Sequence, residues 1–300
     1  MKLSRRTFVA GSLAVTVSPL SALEPIPRVG PPRLKLSLAA YSFRNQLTNY
    51  RSGAKPKPDG MDMLGFVDYA AGLDLDGVEL TSYFLPHPCP AEYALKLKQR
   101  CHVLGLDISG GAIGNNFAYP PGEKLDAQMA YTEEWIKTYA LMGAPVIRVF
   151  AGHPKEKGVD AVQAVENIKK NLNAACELAA KHGVMLAMEN HDFTTDIDRY
   201  LDVISAIDSP WFGANMDSGN LAPTDSPYKQ LERIAPYAVN VQVKVHIPRN
   251  GKREPTDLER LIKIMRDANY AGYIVLEYED KADPYQEVPR YLAELRKWIG

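Results

Sequence analysis

The sequence predicts a single-domain α/β fold, a (β/α)8 TIM barrel. From Leu34 onward, short apolar runs alternate with longer amphipathic runs, and eight such strand–helix units follow one another within about 265 residues. A composition of 46% hydrophobic and 24% charged residues supplies enough apolar material for one large core. No glycine-rich dinucleotide fingerprint leads directly from a strand into a helix, which argues against a doubly wound sheet.

The eight predicted strands are short apolar runs, and each is followed by a segment with helical periodicity. The strands are residues 36–41, 77–80, 106–109, 146–150, 184–188, 212–216, 239–245 and 273–276. The helices are residues 61–73, 91–104, 127–142, 161–182, 197–207, 228–234, 256–268 and 284–298. Gly105 and Gly183 stand where helix C-caps are expected. Two long loops, 45–60 and 110–123, are predicted to border the mouth of the barrel.

The composition excludes several classes of protein. Lys and Arg total 35 against 36 for Asp and Glu, giving a formal charge of -1. A nucleic-acid-binding protein would normally carry a basic footprint, so no nucleic-acid partner is expected. Three cysteines provide neither a disulfide framework nor a CxxC metal knuckle. Oligomeric state is left open, a homo-oligomer included.

The N-terminus resembles an export signal. Residues 4–9, Ser-Arg-Arg-Thr-Phe-Val, form a twin-arginine pattern, and the apolar stretch that follows is too short to span a membrane. Residues 1–23 are therefore predicted to be a twin-arginine signal peptide, which implies a periplasmic or exported protein without stable membrane insertion. Residues 24–33 contain four prolines and are predicted to be a linker, with the barrel over residues 34–300.

Polar side chains close the last four predicted strands. Because alternate residues of a strand share a face, several can point into the mouth of the barrel together. In chain order these are Glu189 and His191, Asn215 and Asp217, Gln242, Lys244 and His246, and Glu277 and Glu279. Gathered carboxylates repel one another, and a divalent cation relieves the repulsion. The oxygen-rich set favours Mn²⁺ or Mg²⁺ and also admits Co²⁺. The alternative is that a strand-end glutamate pairs with Lys244 or Arg148.

Five short motifs carry a resemblance to a known family. They are Ala40-Tyr41-Ser42-Phe43-Arg44, Asp76-Gly77-Val78-Glu79, Met188-Glu189-Asn190-His191, Asp217-Ser218-Gly219-Asn220 and Gly272-Tyr273-Ile274-Val275-Leu276-Glu277. Together they resemble the xylose isomerase-like TIM barrels, also labelled sugar phosphate isomerase/epimerase, which include ketose 3-epimerases and inosose dehydratases. The resemblance spans the folded region and is specific for the fold and the metal site.

The resemblance implies one divalent cation held by four strand-end residues. Glu189, Asp217 and Glu277 match the family's two glutamates and its aspartate directly. The fourth ligand is usually a histidine, and Gln242 stands in that position, with His246 as a substitute on the same face. A glutamine carbonyl oxygen can also coordinate a hard cation.

The family chemistry assigns further roles. Glu189 and Glu277 would remove and return a proton α to a sugar carbonyl, while Lys244, His191 or Arg44 would neutralise the oxyanion. Asn220 replaces a histidine that sugar epimerases of this type often carry, which argues against a plain ketose 3-epimerase. The predicted substrate-binding residues are Glu79, Arg44, Asn220, His246 and Tyr41.

The predicted partner is a small carbohydrate. An isomerase or epimerase acting on an unphosphorylated sugar is favoured, since no cluster of basic residues or glycine-rich phosphate cradle is evident in the sequence. A 3-keto-glycoside lyase would use the same enolisation, and a non-catalytic periplasmic sugar-binding barrel is the alternative outside enzymology. A zinc-dependent DNA-repair endonuclease of the same fold is disfavoured by the charge balance.

Overall fold

A computed structural model of the chain describes residues 24–56, 60–155 and 158–300, and confirms the predicted barrel. Residues 1–23, where the export signal is predicted, lie outside the described residues. Eight parallel strands close the barrel in the order β1-β10-β7-β6-β5-β4-β3-β2. They are β1 (Leu34–Ala39), β2 (Gly77–Thr81), β3 (Asp107–Ala112), β4 (Val146–Phe150), β5 (Met185–Glu189), β6 (Phe212–Asp217), β7 (Ala238–Val243) and β10 (Gly272–Leu276). Two more strands, β8 (His246–Arg249) and β9 (Lys252–Pro255), form an antiparallel hairpin.

A helix follows each barrel strand and packs outside it. The helices are α1 (Met63–Ala70), α2 (Ala91–Val103), α3 (Glu123–Met142), α4 (Ala161–Lys181), α5 (Ile197–Ser205), α6 (Pro227–Ile234), α7 (Leu258–Asp267) and α8 (Pro284–Ile299). An aspartate side chain caps the first turn of five of them by accepting a backbone N–H, as Asp160 does from Gln163 at 2.8 Å. The glycines expected at C-caps, Gly105 and Gly183, adopt φ of 73° and 66° after α2 and α4. These caps fix where each helix meets the next strand.

Strand β3 is longer than the sequence pattern predicts. Gly110 and Gly111 belong to the strand and not to the loop that follows. A Cβ added at Gly111 would lie 2.3 Å from the ring of Tyr139, which is fully buried and donates a hydrogen bond to Leu80 O at 2.5 Å. Glycine therefore allows α3 to pack closely against the sheet. Because glycine is not an apolar strand former, the sequence pattern ended the predicted strand too early.

The β8–β9 hairpin corrects the prediction of a single strand over residues 239–245. Barrel strand β7 ends at Val243, and the chain turns away before the hairpin begins. The hairpin reverses at Asn250-Gly251, both with positive φ, between the paired residues Arg249 and Lys252. Asn-Gly is the preferred dipeptide of such tight turns, so the sequence did carry a signal for this hairpin.

The predicted linker touches the barrel. Ile26 N donates to Pro236 O at 3.1 Å, and the Arg28 guanidinium contacts Ala238 O and lies 5.2 Å from the centre of the Tyr270 ring. Within the part of the chain that the structure describes, none of the helices combines the length and the apolar character needed to cross a membrane.

Candidate functional site

A cavity of about 290 Å³ opens at the carboxyl ends of the barrel strands. In TIM barrels this end, built from strand termini and the loops after them, carries the active site. The cavity is lined by Tyr41, Arg51, Tyr83, Asn115, Asn116, Arg148, Phe150, Gly152, His153, Lys155, Glu189, His191, Asp192, Asn220, Lys244, Glu277 and Glu279. The four residues predicted to be catalytic, Glu189, His191, Lys244 and Glu277, are all among them.

Lys244 is the centre of an ion cluster. Its Nζ atom lies 2.7 Å from Glu277 Oε2, 3.1 Å from Glu279 Oε1 and 3.3 Å from Asp217 Oδ2. Burial opposes the charge on Lys244, but the surrounding carboxylates outweigh it and raise its pKa well above the ordinary value. Lys244 is therefore a fixed positive charge in the wall of the cavity.

Glu189 is held by two partners on opposite sides. Its Oε2 lies 3.0 Å from Arg148 Nε, and its Oε1 accepts a hydrogen bond from Asn220 Nδ2 at 2.7 Å. Arg148 is itself anchored, since its Nη1 donates to Ile113 O at 2.8 Å and its guanidinium lies over the ring of Phe150. Burial raises the pKa of Glu189 to about 7, and the Arg148 charge opposes that rise. Glu189 can thus gain or lose a proton near neutral pH.

Asp217 lies beneath the cavity and is fully buried. Its Oδ1 accepts from the backbone N–H groups of Gly219 and Asn220 at 2.7 and 3.0 Å. Its Oδ2 accepts no hydrogen bond, although Lys244 Nζ is 3.3 Å away. Burial raises the pKa of Asp217 to about 7, against the effect of Lys244. The carboxyl thus shapes the 217–220 turn and leaves one oxygen facing Lys244.

A layer of buried amides supports the site from below. Gln242 Nε2 donates to Glu79 Oε1 at 2.7 Å, and Gln242 Oε1 accepts from Asn215 Nδ2 at 2.7 Å. Asn240 Nδ2 donates both to Glu79 Oε2 and to Asn215 Oδ1 at 2.8 Å. Burial raises the pKa of Glu79 to about 7, although both amide donors oppose it. The amide nitrogen and the amide oxygen of the Gln242 side chain therefore each have a protein partner.

The predicted metal-ligand set is brought to one end of the barrel, but its arrangement does not fit a divalent cation. Glu189 and Glu277 line the cavity, whereas Asp217 and Gln242 lie below it. The cations of Arg148 and Lys244 stand beside the three carboxylates. Over the ranges that the structure covers, no three His, Cys, Asp or Glu side chains are grouped so that they could hold a metal ion. The alternative pairing of strand-end glutamates with Lys244 and Arg148 is what the structure shows.

Only some of the predicted substrate-binding residues line the cavity. Tyr41 and Asn220 line the cavity, but Glu79 lies in the buried amide layer. Arg44 donates to Tyr278 O at 3.0 Å and is not part of the cavity wall. His246 borders a separate space of about 150 Å³, where its Nδ1 lies 3.2 Å from Arg253 and 3.4 Å from Asp280.

His191 faces the cavity next to Glu189. Its ring packs on Phe150, with ring centres 4.4 Å apart, and its Nδ1 is 3.1 Å from Asp192 Oδ2 without hydrogen-bond geometry. Burial lowers the pKa of His191, an effect that the Asp192 carboxylate opposes and the Arg148 charge reinforces. His191 is consequently neutral at physiological pH.

Several residues of the cavity wall could not be found from the sequence pattern. Arg51 reaches the mouth from the loop after β1, with its guanidinium 4.5 Å from the centre of the Tyr83 ring. Asn115 and Asn116 come from the predicted 110–123 loop. Asn115 bonds Phe150 N and O at the end of β4, and Asn116 Nδ2 donates to His153 O in the loop that follows. The loop length and its asparagines were the only signals for them.

The sequence profile described as xylose isomerase-like TIM barrel matches residues 67–295. The chain belongs to this family. Membership accounts for the closed barrel, which the motif resemblance implied. A search of curated proteins finds no significant match.

Three solved structures show how widely the family's fold is shared. A xylose isomerase domain protein from Planctomyces limnophilus is 17% identical, with a TM-score of 0.67 over 90% of this chain and 99% of the other. D-psicose 3-epimerase from Clostridium cellulolyticum H10 is 15% identical, with a TM-score of 0.70 over 88% and 99%. A 3-keto-D-glucoside 4-epimerase from E. coli is 17% identical, with a TM-score of 0.65 over 89% and 99%. At these identities the similarity establishes the fold alone.

Proposed function

We propose that the chain is a sugar isomerase or epimerase that removes a proton α to a carbonyl of an unphosphorylated sugar. The observation that carries this proposal is the grouping of Glu189, Glu277, Arg148 and Lys244 around one cavity. Enolisation needs a base for the proton and positive charge for the oxygen that becomes negative, and this cavity wall provides both. The known activities of the two epimerases of the same fold agree with this class of reaction.

Glu189 is the proposed base. A carboxyl whose pKa is near 7 accepts a proton more readily than an ordinary one and is still largely ionised at slightly alkaline pH. Asn220 and Arg148 hold its two oxygens, which fixes the direction from which it approaches a bound sugar. Such fixed orientation lowers the entropic part of the barrier.

Lys244 and Arg148 are the proposed stabilisers of the enolate oxygen. Both are buried, both line the cavity, and both carry permanent charge. Preorganised positive charge lowers the energy of a developing oxyanion without reorganisation during the reaction.

Glu277 is the proposed second carboxyl: it enters the step protonated and gives its proton to the substrate carbon, while Glu189 keeps the proton that it removed, and exchange with solvent restores both groups. It comes from the strand end after β10, whereas Glu189 ends β5, so the two enter the cavity from different parts of the barrel. Return of the proton to the opposite face gives an epimer, and return to the neighbouring carbon gives an isomer. Neutral His191 can move a proton between substrate oxygens.

A lyase acting on 3-keto-glycosides is the second candidate. One of the similar structures is a 3-keto-D-glucoside 4-epimerase, and another is a probable 3-DHS dehydratase, 16% identical with a TM-score of 0.60. The same enolate expels a leaving group when one occupies the adjacent carbon. A periplasmic location, proposed from the twin-arginine pattern, would present such glycosides to the enzyme.

Exchange of the α-hydrogen with deuterated water tests the proposal. Purified protein is incubated with a panel of keto-sugars and 3-keto-glycosides, and deuterium uptake is followed by NMR, with product analysis to separate isomer, epimer and elimination product. Uptake by the wild type and its loss in Glu189→Gln are expected, because the amide cannot accept the proton. Saturable sugar binding without exchange for any member of the panel would instead indicate a non-catalytic binding barrel.

A further inference from the structure

Four carboxylates lie at or just beneath the mouth of the barrel, and each already has a cationic neighbour. Lys244 Nζ is within 3.3 Å of Asp217, Glu277 and Glu279, and Arg148 Nε is 3.0 Å from Glu189. Lys244 Nζ donates a hydrogen bond to Glu277 Oε2 and forms ion pairs with Glu279 and Asp217, so one ammonium group opposes three carboxylates. The lysine nitrogen occupies the point toward which these three carboxylates converge.

The Lys244 side chain is fixed in this position by its own surroundings. Its backbone N–H donates to Ser218 Oγ at 2.8 Å, and its stem lies against Gly219. A Cβ added at Gly219 would come 2.6 Å from Lys244 Cγ, so the two segments are as close as glycine permits. The Lys244 side chain is only 9% exposed, and a change of rotamer would have to displace this contact.

The Gln242 side chain is bonded within the buried amide layer. The two oxygens of Glu79 accept N–H groups from Gln242 Nε2 and Asn240 Nδ2, and the Gln242 amide oxygen accepts from Asn215 Nδ2. The oxygen that could coordinate a cation is thereby committed to the buried layer. Coordination by Gln242 would leave the Asn215 donor or the Glu79 acceptor unpaired in the core, at a cost.

We propose that the Lys244 ammonium group takes the place of a divalent cation in this site, so that the chain binds no such ion between Asp217 and Glu277. The role of Lys244 as the charge opposite an enolate oxygen rests on the proposed function. The inference that Lys244 excludes a metal ion does not depend on it. The lysine provides one positive charge where a divalent cation would provide two. It compensates by direct contact with three carboxylates and by the second cation, Arg148.

Binding of Mn²⁺ to the full-length protein tests the inference without reference to turnover. Protein dialysed against EDTA and then freed of chelator is titrated with MnCl₂, and free Mn²⁺ is followed by electron paramagnetic resonance. We expect no saturable site at submillimolar Mn²⁺ in the wild type. Lys244→Ala leaves three carboxylates without their cation. We expect a saturable site to appear in this variant, with an affinity for Mn²⁺ about tenfold or more above that of the wild type.

Two variants serve as controls for Lys244→Ala. Lys155→Ala removes the other lysine of the cavity wall and should behave as the wild type does. Adding Glu277→Gln to Lys244→Ala should abolish the gained binding. Circular dichroism establishes that each variant is folded, and the wild-type titration stands on its own if Lys244→Ala does not fold.

Stoichiometric Mn²⁺ binding by the wild type that Asp217→Asn abolishes would overturn the inference. A folded Lys244→Ala that gains no affinity would equally overturn the assignment of Lys244 as the substitute charge. The two proposals fail separately. A wild type that binds Mn²⁺ and exchanges α-hydrogens contradicts only this inference, and one that binds no metal and exchanges nothing contradicts only the enzymatic proposal.

Discussion

Lys244 Nζ lies 2.7 Å from Glu277 Oε2, and both residues are more than nine-tenths buried. Lys244 follows β7 and Glu277 follows β10, two strands that pair side by side through Ile274 and Val241. The ion pair therefore links the ends of neighbouring strands at the mouth of the barrel. A buried pair of this kind has consequences for stability as well as for chemistry.

Replacement of Lys244 by Met should destabilise the fold in a pH-dependent way. Loss of the cation leaves buried carboxylates unpaired, which typically costs about 3–5 kcal/mol. The pKa of Asp217, which Lys244 holds down, then rises further above its unfolded value, so the folded state binds more protons and stability falls as pH rises. Urea unfolding should therefore show a larger loss at about pH 8 than at about pH 5.

Lys263→Met is the matched control for the Lys244 prediction. Lys263 pairs with Asp267 at 2.6 Å on the surface of α7, and its side chain is 70% exposed. Exposed pairs contribute at most about 1 kcal/mol, with little dependence on pH in this range. Equal losses in the two lysine variants would contradict the burial argument.

Asn220→Asp should shift the pH dependence of the proposed reaction. Asn220 Nδ2 donates to Glu189 Oε1 at 2.7 Å, and an aspartate there would place a second negative charge beside the base. A like charge raises the pKa of Glu189 further above 7, so the increase in kcat/KM with pH should move to higher pH by about one unit. The pH profile of α-hydrogen exchange measures this shift.

Asn173→Asp provides the comparison for the Asn220 prediction, because Asn173 bonds Lys169 O within α4 and does not line the cavity. Its pH profile should coincide with that of the wild type. If the pH profile of Asn220→Asp also coincides with that of the wild type, Glu189 is not the base.

The cost of Glu79→Gln should depend on pH. Burial raises the pKa of Glu79 to about 7, so the folded state binds a proton that the unfolded state releases between about pH 4.5 and 7. This contribution to stability is greatest at low pH and is lost as pH rises through 7. The wild type should exceed Glu79→Gln in free energy of unfolding by more at about pH 5 than at about pH 8. A difference that is the same at both pH values would show that Glu79 keeps an ordinary pKa.

Gly111→Ala should destabilise the barrel by about 1–3 kcal/mol or more, because the added Cβ would lie 2.3 Å from the buried Tyr139 ring. Gly65→Ala is the control. Gly65 lies in α1, and its added Cβ would meet atoms no closer than 3.4 Å, so alanine should stabilise by about 0.4–1 kcal/mol. Thermal unfolding of the two variants distinguishes a steric effect from a general effect of glycine replacement.

The sequence was sufficient to predict the barrel and to locate the polar residues at the ends of its strands. Apolar runs and the helix C-cap glycines are local signals, because they depend on residues within one or two turns of each other. They placed Glu189 at the end of β5 and Glu277 just beyond β10, and both line the cavity. The local signals failed at Gly110-Gly111, whose strand is defined by packing against Tyr139. At the β8–β9 hairpin the Asn250-Gly251 turn was a local signal, but no hairpin was predicted from it.

Only the tertiary structure decided which charges meet. Arg148 reaches Glu189 across paired strands β4 and β5, and Lys244 reaches Glu277 across β7 and β10. A register irregularity in β6 between Ala214 and Asn215 sets which β6 residues lie level with those of β7, and so aligns Asp217 with Gln242. Strand periodicity specifies the face on which a side chain lies, but the distance between side chains on different strands depends on register and barrel closure, which are properties of the whole sheet.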